Sequence, residues 1–99
     1  MANVVVIADP VTAEAFLMTD FSTRAAFSGE EAVTHIRQAL RDQREIIFVT
    51  ENLVEGQLDT LQQLQKESRA IITVIPGVGT SIHLGEKMLE LLKKSVIGI

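Results

Sequence analysis

Cysteine is absent from this chain, so it has neither a disulfide framework nor a thiolate nucleophile. A cytosolic setting is the default expectation for such a composition. Aromatic side chains are scarce: there are four phenylalanines and no Trp or Tyr, too little for a surface on which bases stack. Lys and Arg number 9 against 13 Asp and Glu, and a net charge of −4 lacks the basic footprint of a nucleic-acid binder. No apolar run approaches the roughly 20 residues that span a bilayer, which argues against direct membrane insertion. The opening Met1-Ala2-Asn3-Val4-Val5-Val6-Ile7 has neither the basic stretch nor the length of a signal peptide and reads as a first strand. What the chain does have is a hydrophobic fraction of 46% in 99 residues, enough for one domain with a single core.

Apolar strands and amphipathic helical stretches alternate along it. Asn3 to Ala8 is largely β-branched, as suits a strand buried on both faces. Asp9-Pro10 then starts a short helix over Val11 to Met18, with Asp9 accepting from first-turn amides and Pro10 at the first helical position. Thr23 to Phe27 forms a short second strand weakened by its alanines. Ser28-Gly29-Glu30-Glu31 is a capping box opening a second helix, with Ala32, Val33, Ile36, Ala39 and Leu40 on its apolar stripe and Arg37, Arg41 and Asp42 in water. Ile46 to Val49 is the third strand, and Thr50-Glu51 caps a third helix. That helix runs from about Asn52 to Glu67 and buries Val54, Leu58, Leu61 and Leu64. Ala70 to Ile75 is the fourth strand, stopped by Pro76, which has no N–H to give a ladder. From Gly77 to Ile99 come a glycine loop, the hydroxyl pair Thr80-Ser81, a helix with Leu84, Met88, Leu91 and Leu92 on one stripe, and an apolar tail.

Strands separated by helices require right-handed crossovers, hence an α/β fold: a small doubly wound domain with a four-stranded parallel sheet in the order 2-1-3-4 and helices on both faces. Ligands of such sheets sit beyond the carboxyl ends of the strands, here Asp9, Ser28, Thr50, Glu51 and the loop from Gly77 to Ser81. A phosphoacceptor role for Asp9 would call for companion acids, an aspartate after the third strand and a late lysine. Position 50 is threonine, and the first lysine after the last strand is Lys87, within a helix. Asp9 therefore reads as a helix cap, for which asparagine should serve nearly as well. The glycine loop lacks the lysine of a P-loop, and the dinucleotide fingerprint belongs after the first strand, where this chain has Asp9-Pro10. A receiver-like or nucleotide-binding signalling module is thus the alternative reading. His35, one turn after Glu31, belongs on a solvated face, and His83 lies beside the glycine loop; neither has the partners of a metal site. No catalytic residue, cofactor or metal is expected. The apolar tail points to a protein partner.

Along nearly all its length the chain resembles the F subunit of the V-type and archaeal-type (V/A) rotary ATPases. The resemblance is carried by Val5-Val6-Ile7-Ala8-Asp9, by Ile46-Ile47-Phe48-Val49-Thr50-Glu51, and most specifically by Ile75-Pro76-Gly77, Gly79-Thr80-Ser81 and the ending Lys94-Ser95-Val96-Ile97-Gly98-Ile99. It departs in the first helix, where Ala15-Phe16-Leu17-Met18 stands in place of the family's Gly-Phe-Arg-Leu-like stretch. The resemblance implies a Rossmann-like domain over 1–99 without catalysis. It would sit on the D-subunit coiled coil in the central rotor stalk, peripheral to the membrane, and touch the catalytic A/B head transiently. There it would help couple ATP synthesis or hydrolysis to proton or sodium transport. Leu84, Met88, Leu91, Leu92, Val96, Ile97 and Ile99 are the partner-binding candidates.

Overall fold

The computed structural model describes residues 3–77. It contains β1 (Val4–Ala8), α1 (Pro10–Phe16), β2 (Ser22–Ala25), α2 (Gly29–Arg41), β3 (Ile46–Thr50), α3 (Glu51–Val54), α4 (Leu58–Glu67) and β4 (Ile71–Ile75). The strands form one sheet in the order β2-β1-β3-β4, every pair parallel. The α/β class, strand order and parallel sense expected from the alternation are those observed.

β1 is central, paired through Val5–Ser22 to β2 and through Val5–Ile47 to β3, and all five of its residues are buried. Its side chains alternate between two cores. Val5 and Ile7 join Ile36, Ile47, Val49, Leu53, Leu61 and Leu64 under α2, α3 and α4. Val4, Val6 and Ala8 join Ala13, Phe16, Phe48 and Ile75 on the α1 side. The sheet is therefore wound from both faces.

Local signals explain most helix ends. Ser28 Oγ accepts from the Glu31 amide at 3.1 Å, as a capping box requires, whereas the Glu31 carboxylate lies 3.8 Å from His35 Nε2. His35 is half-buried, so its surroundings are less solvated than its spacing implied. α2 closes with Gln43 at φ 61°, the Gln43 amide donating to Leu40 O and the Arg44 amide to Ala39 O, a Schellman motif with glutamine where glycine is usual. α1 ends at Phe16, two residues short of expectation, where the Thr19 hydroxyl donates to Phe16 O at 2.7 Å.

Three expectations need correction. The single helix from Asn52 to Glu67 is two helices, because Gly56 adopts φ 79° and breaks the turn between Val54 and Leu58. The break resets the helical phase: Leu53 is buried at 6% exposure, and Leu58, expected in the core, is 57% exposed. Thr50 gives α3 no side-chain cap, because its hydroxyl is turned toward the end of β1. β4 is an edge strand, with Ile71 and Val74 exposed. Gln65 reaches it from α4, donating to Ala70 O at 2.6 Å and accepting from the Ile72 amide at 2.7 Å. The helix expected over Leu84 to Leu92 and the tail beyond it lie outside the described residues.

Two packing constraints lead to a stability prediction. A Cβ on Gly29 would stand 2.8 Å from the Leu53 carbonyl oxygen and 3.0 Å from Gln57 Cγ, so α2 and α3 meet backbone to backbone there. Gly29→Ala should cost about 1–3 kcal/mol in chemical denaturation, as overpacking does. Leu53→Ala should cost about 2–5 kcal/mol, whereas Leu58→Ala should fall within about 1 kcal/mol of wild type. Equal losses at the two leucines would restore the single-helix phase.

Candidate functional site

α1 covers one face of the sheet and α2 and α4 the other, which makes the gap between β1 and β3 the point where the winding reverses. This is where doubly wound sheets accept ligands. Asp9 ends β1 and caps α1. Its Oδ2 accepts from the Thr12 amide at 3.1 Å and its Oδ1 from the Thr12 hydroxyl at 2.7 Å. The Asp9 amide in turn donates to Thr50 Oγ1 at 3.3 Å, so the threonine at the end of β3 ties two strand ends together. Thr12 and Thr50 are both fully buried. The Asn52 side chain adds a further hydrogen bond to Asp9.

Gly77 runs close over this group. A Cβ there would lie 3.4 Å from Asp9 Oδ1 and 3.6 Å from both Asn52 Oδ1 and Thr12 Oγ1, ordinary contact distances. Burial raises the Asp9 pKa, but hydrogen bonds from the Thr12 hydroxyl and amide, from Asn52 and from its own amide outweigh it. The net result is a carboxyl held below its usual value.

Asp9, Thr50 and Gly77 are thus brought together at the sheet edge, as the topology implied. Ser28 instead uses its hydroxyl to cap α2, and Glu51 is exposed at the start of α3. Thr12 and Asn52 were not legible as members of the group. Thr12 sits three residues after its cap, in an ordinary first turn, and Asn52 has no periodic or motif signal. Leu84, Met88, Leu91, Leu92, Val96, Ile97 and Ile99, together with His83 and the loop from Val78 to Ser81, lie outside the described residues.

The chemistry open to this arrangement is limited. Both carboxylate oxygens of Asp9 already accept from Thr12, and its neighbours are neutral. Among the described residues no three His, Cys, Asp or Glu side chains are grouped to hold a metal ion. A second cleft, of about 580 Å³, lies at the opposite end of the sheet between the C-terminal ends of α2 and α4. Its Arg44 and Arg69 are balanced by Glu45 and Glu67, which leaves no net attraction for a charged ligand.

The double use of the Asp9 carboxylate corrects one expectation and makes a prediction. Asparagine offers one acceptor oxygen where two are used, so Asp9→Asn should cost about 1 kcal/mol and Asp9→Ala about 2 kcal/mol. A depressed carboxyl stabilises the fold above its unfolded pKa of about 3.9 and loses that contribution as pH falls through the lower folded value. Denaturation midpoints followed from pH 6 to pH 2 should therefore fall less steeply in Asp9→Asn than in wild type. Parallel curves would mean that the Asp9 carboxyl has the same pKa folded and unfolded.

Comparison with known proteins supplies what one site cannot. No curated protein matches the chain. A sequence model of the ATP synthase (F/14-kDa) subunit family matches residues 4–95, from the first residue of β1 through most of the resembling C-terminal block. The likeness noted in the strands and in that block is borne out over this whole span: the chain belongs to the ATP synthase (F/14-kDa) subunit family, as a subunit of a rotary ATPase.

Proposed function

We propose that the protein is a non-catalytic subunit of the central rotor stalk of a V/A-type ATP synthase/ATPase, seated on the D-subunit coiled coil. It would help transmit torque between ATP synthesis or hydrolysis at the A/B head and transport of protons or sodium ions. The observation that carries the reading is the family match over residues 4–95. The carboxyl edge of the sheet supports it, because Asp9, Thr12, Thr50 and Asn52 satisfy one another there. A rotor accessory works through surfaces that hold a partner under load, which suits apolar patches with polar rims. No helix among the described residues is long and apolar enough to cross a membrane, in keeping with a peripheral place in the complex. In this reading Leu84, Met88, Leu91 and Leu92 anchor the C-terminal helix, and Val96, Ile97 and Ile99 engage the D subunit or the A/B head.

Two measurements check the reading. Calorimetric titration of the isolated protein with magnesium–ATP should give no binding as tight as about micromolar, or −8 kcal/mol; such binding would favour a nucleotide-binding module. Deleting residues 96–99 should leave thermal unfolding cooperative and weaken binding to the D subunit by about 1–3 kcal/mol. A truncated protein that no longer folds would place the tail in the core. One that folds and keeps full affinity and rotary activity would place the partner surface elsewhere.

A further inference from the structure

The two edges of the sheet are closed in different ways. At one edge β2 is four residues long and carries Ser22, Thr23 and Arg24, with the Arg24 guanidinium 3.6 Å from the Asp42 carboxylate. A short edge that bears charge does not readily recruit a further strand. β4, at the other edge, has no such composition. Ala70 to Ile75 contains no charged residue, and every position from Ile71 to Ile75 is β-branched. Ile71 is 55% exposed and Val74 43%. A run of this kind on a sheet edge is a template for pairing with another chain, most readily with the same run of a second copy. Arg69 and Pro76 bracket the run but lie outside the strand.

The backbone of β4 shows what stands in the way. The Ile71 amide donates to Glu45 O at 2.8 Å, so Ile71 faces β3, and the polar groups of Ala70 and Ile72 point away from the sheet. A further parallel strand would place one residue opposite Ile71, donating to Ala70 O and accepting from the Ile72 amide. The Gln65 side chain does both: Nε2 donates to Ala70 O at 2.6 Å, and Oε1 accepts from the Ile72 amide at 2.7 Å. One side-chain amide thus reproduces the donor and acceptor of a strand residue. Glutamate would lack the donor for Ala70 O, and lysine the acceptor for the Ile72 amide. Gln63, on the same helix, turns its amide to Glu67 instead, so the contact is not a general habit of the glutamines of α4.

We propose that Gln65 is the guard of this edge. Its amide fills the pairing position opposite Ile71 and so keeps β4 from pairing with β4 of a second copy. The excluded occupant follows from the chemistry of the strand. Two uncharged, β-branched edges related by a two-fold axis would join antiparallel with apolar side chains matched and no like charges opposed. The guard works by holding two backbone hydrogen bonds, not by bulk, since the glutamine itself is exposed. α4 keeps it in reach because Leu61 and Leu64 bury the helix against the sheet. The guard belongs to the free subunit and operates whether or not the domain sits in a rotor stalk.

The test uses the full chain in sedimentation velocity over a range of concentrations. Gln65→Ala should self-associate at concentrations about tenfold lower than wild type. Adding Ile71→Lys to that variant should restore wild-type behaviour, because a charge on an edge strand resists pairing. Ser28→Ala, which removes the cap of α2, controls for a general loss of stability and should sediment as wild type does. Hydrogen exchange reads the guard directly: the Ile72 amide should exchange about tenfold more slowly in wild type than in Gln65→Ala. If Gln65→Ala does not fold, exchange of the Ile72 amide in wild type against its unstructured rate decides. An Ile72 amide unprotected in wild type would overturn the proposal. So would a folded Gln65→Ala that associates no more than wild type, equal association in Ser28→Ala, or association that Ile71→Lys leaves intact.

Discussion

Everything in this domain hangs on the central strand. Val4 to Ala8 has hydrogen-bonded neighbours on both edges and packed cores on both faces, with every residue at 4% exposure or less. A strand so enclosed cannot alternate polar and apolar residues, which is why it is an unbroken run of small and β-branched side chains. Parallel pairing also forbids tight hairpins, so each neighbour must arrive through a crossover, and the handedness of crossovers distributes the helices between the two faces. Once β1 is central, the place where β1 and β3 end becomes the winding switch, and Asp9 stands in it.

The polar groups at that switch are turned on one another. A carboxylate that accepts twice from one threonine, and a second threonine that takes an amide from the neighbouring strand, make a brace rather than an open reaction site. Its effect is positional. It fixes the angle at which α1 leaves the sheet and lies directly beneath the chain at Gly77, the last described residue before the C-terminal block.

The surface agrees with a role in assembly. In the described part the chain's apolar excess is not confined to its two cores: Val11, Leu17, Met18, Phe27, Ile71 and Val74 are all substantially exposed. Single exposed apolar residues are common on any protein, but Leu17 and Met18 stand together at the exit of α1, 72% and 94% exposed.

The sequence by itself determined the alternation of strands and helices and the parallel sense that follows from it, the cap at Asp9, the Ser28 half of the capping box and the family, because each rests on local periodicity, on one- to three-residue cap chemistry or on short characteristic runs within the chain. Only the tertiary structure decided the rest. The split at Gly56 was hidden because Val54, Leu58, Leu61 and Leu64 keep a plausible helical spacing across it; a single positive φ rotated the phase and exchanged Leu53 for Leu58 in the core. Thr50 looked like a cap because a threonine before an acid usually is one, but parallel pairing set the end of β3 beside β1, and its hydroxyl found the Asp9 amide instead. Asn52 and Thr12 joined the same group with no signal in their neighbours. Periodicity and capping are local properties of a chain, whereas a contact across 41 residues depends on which strands lie side by side, and that is decided by the fold.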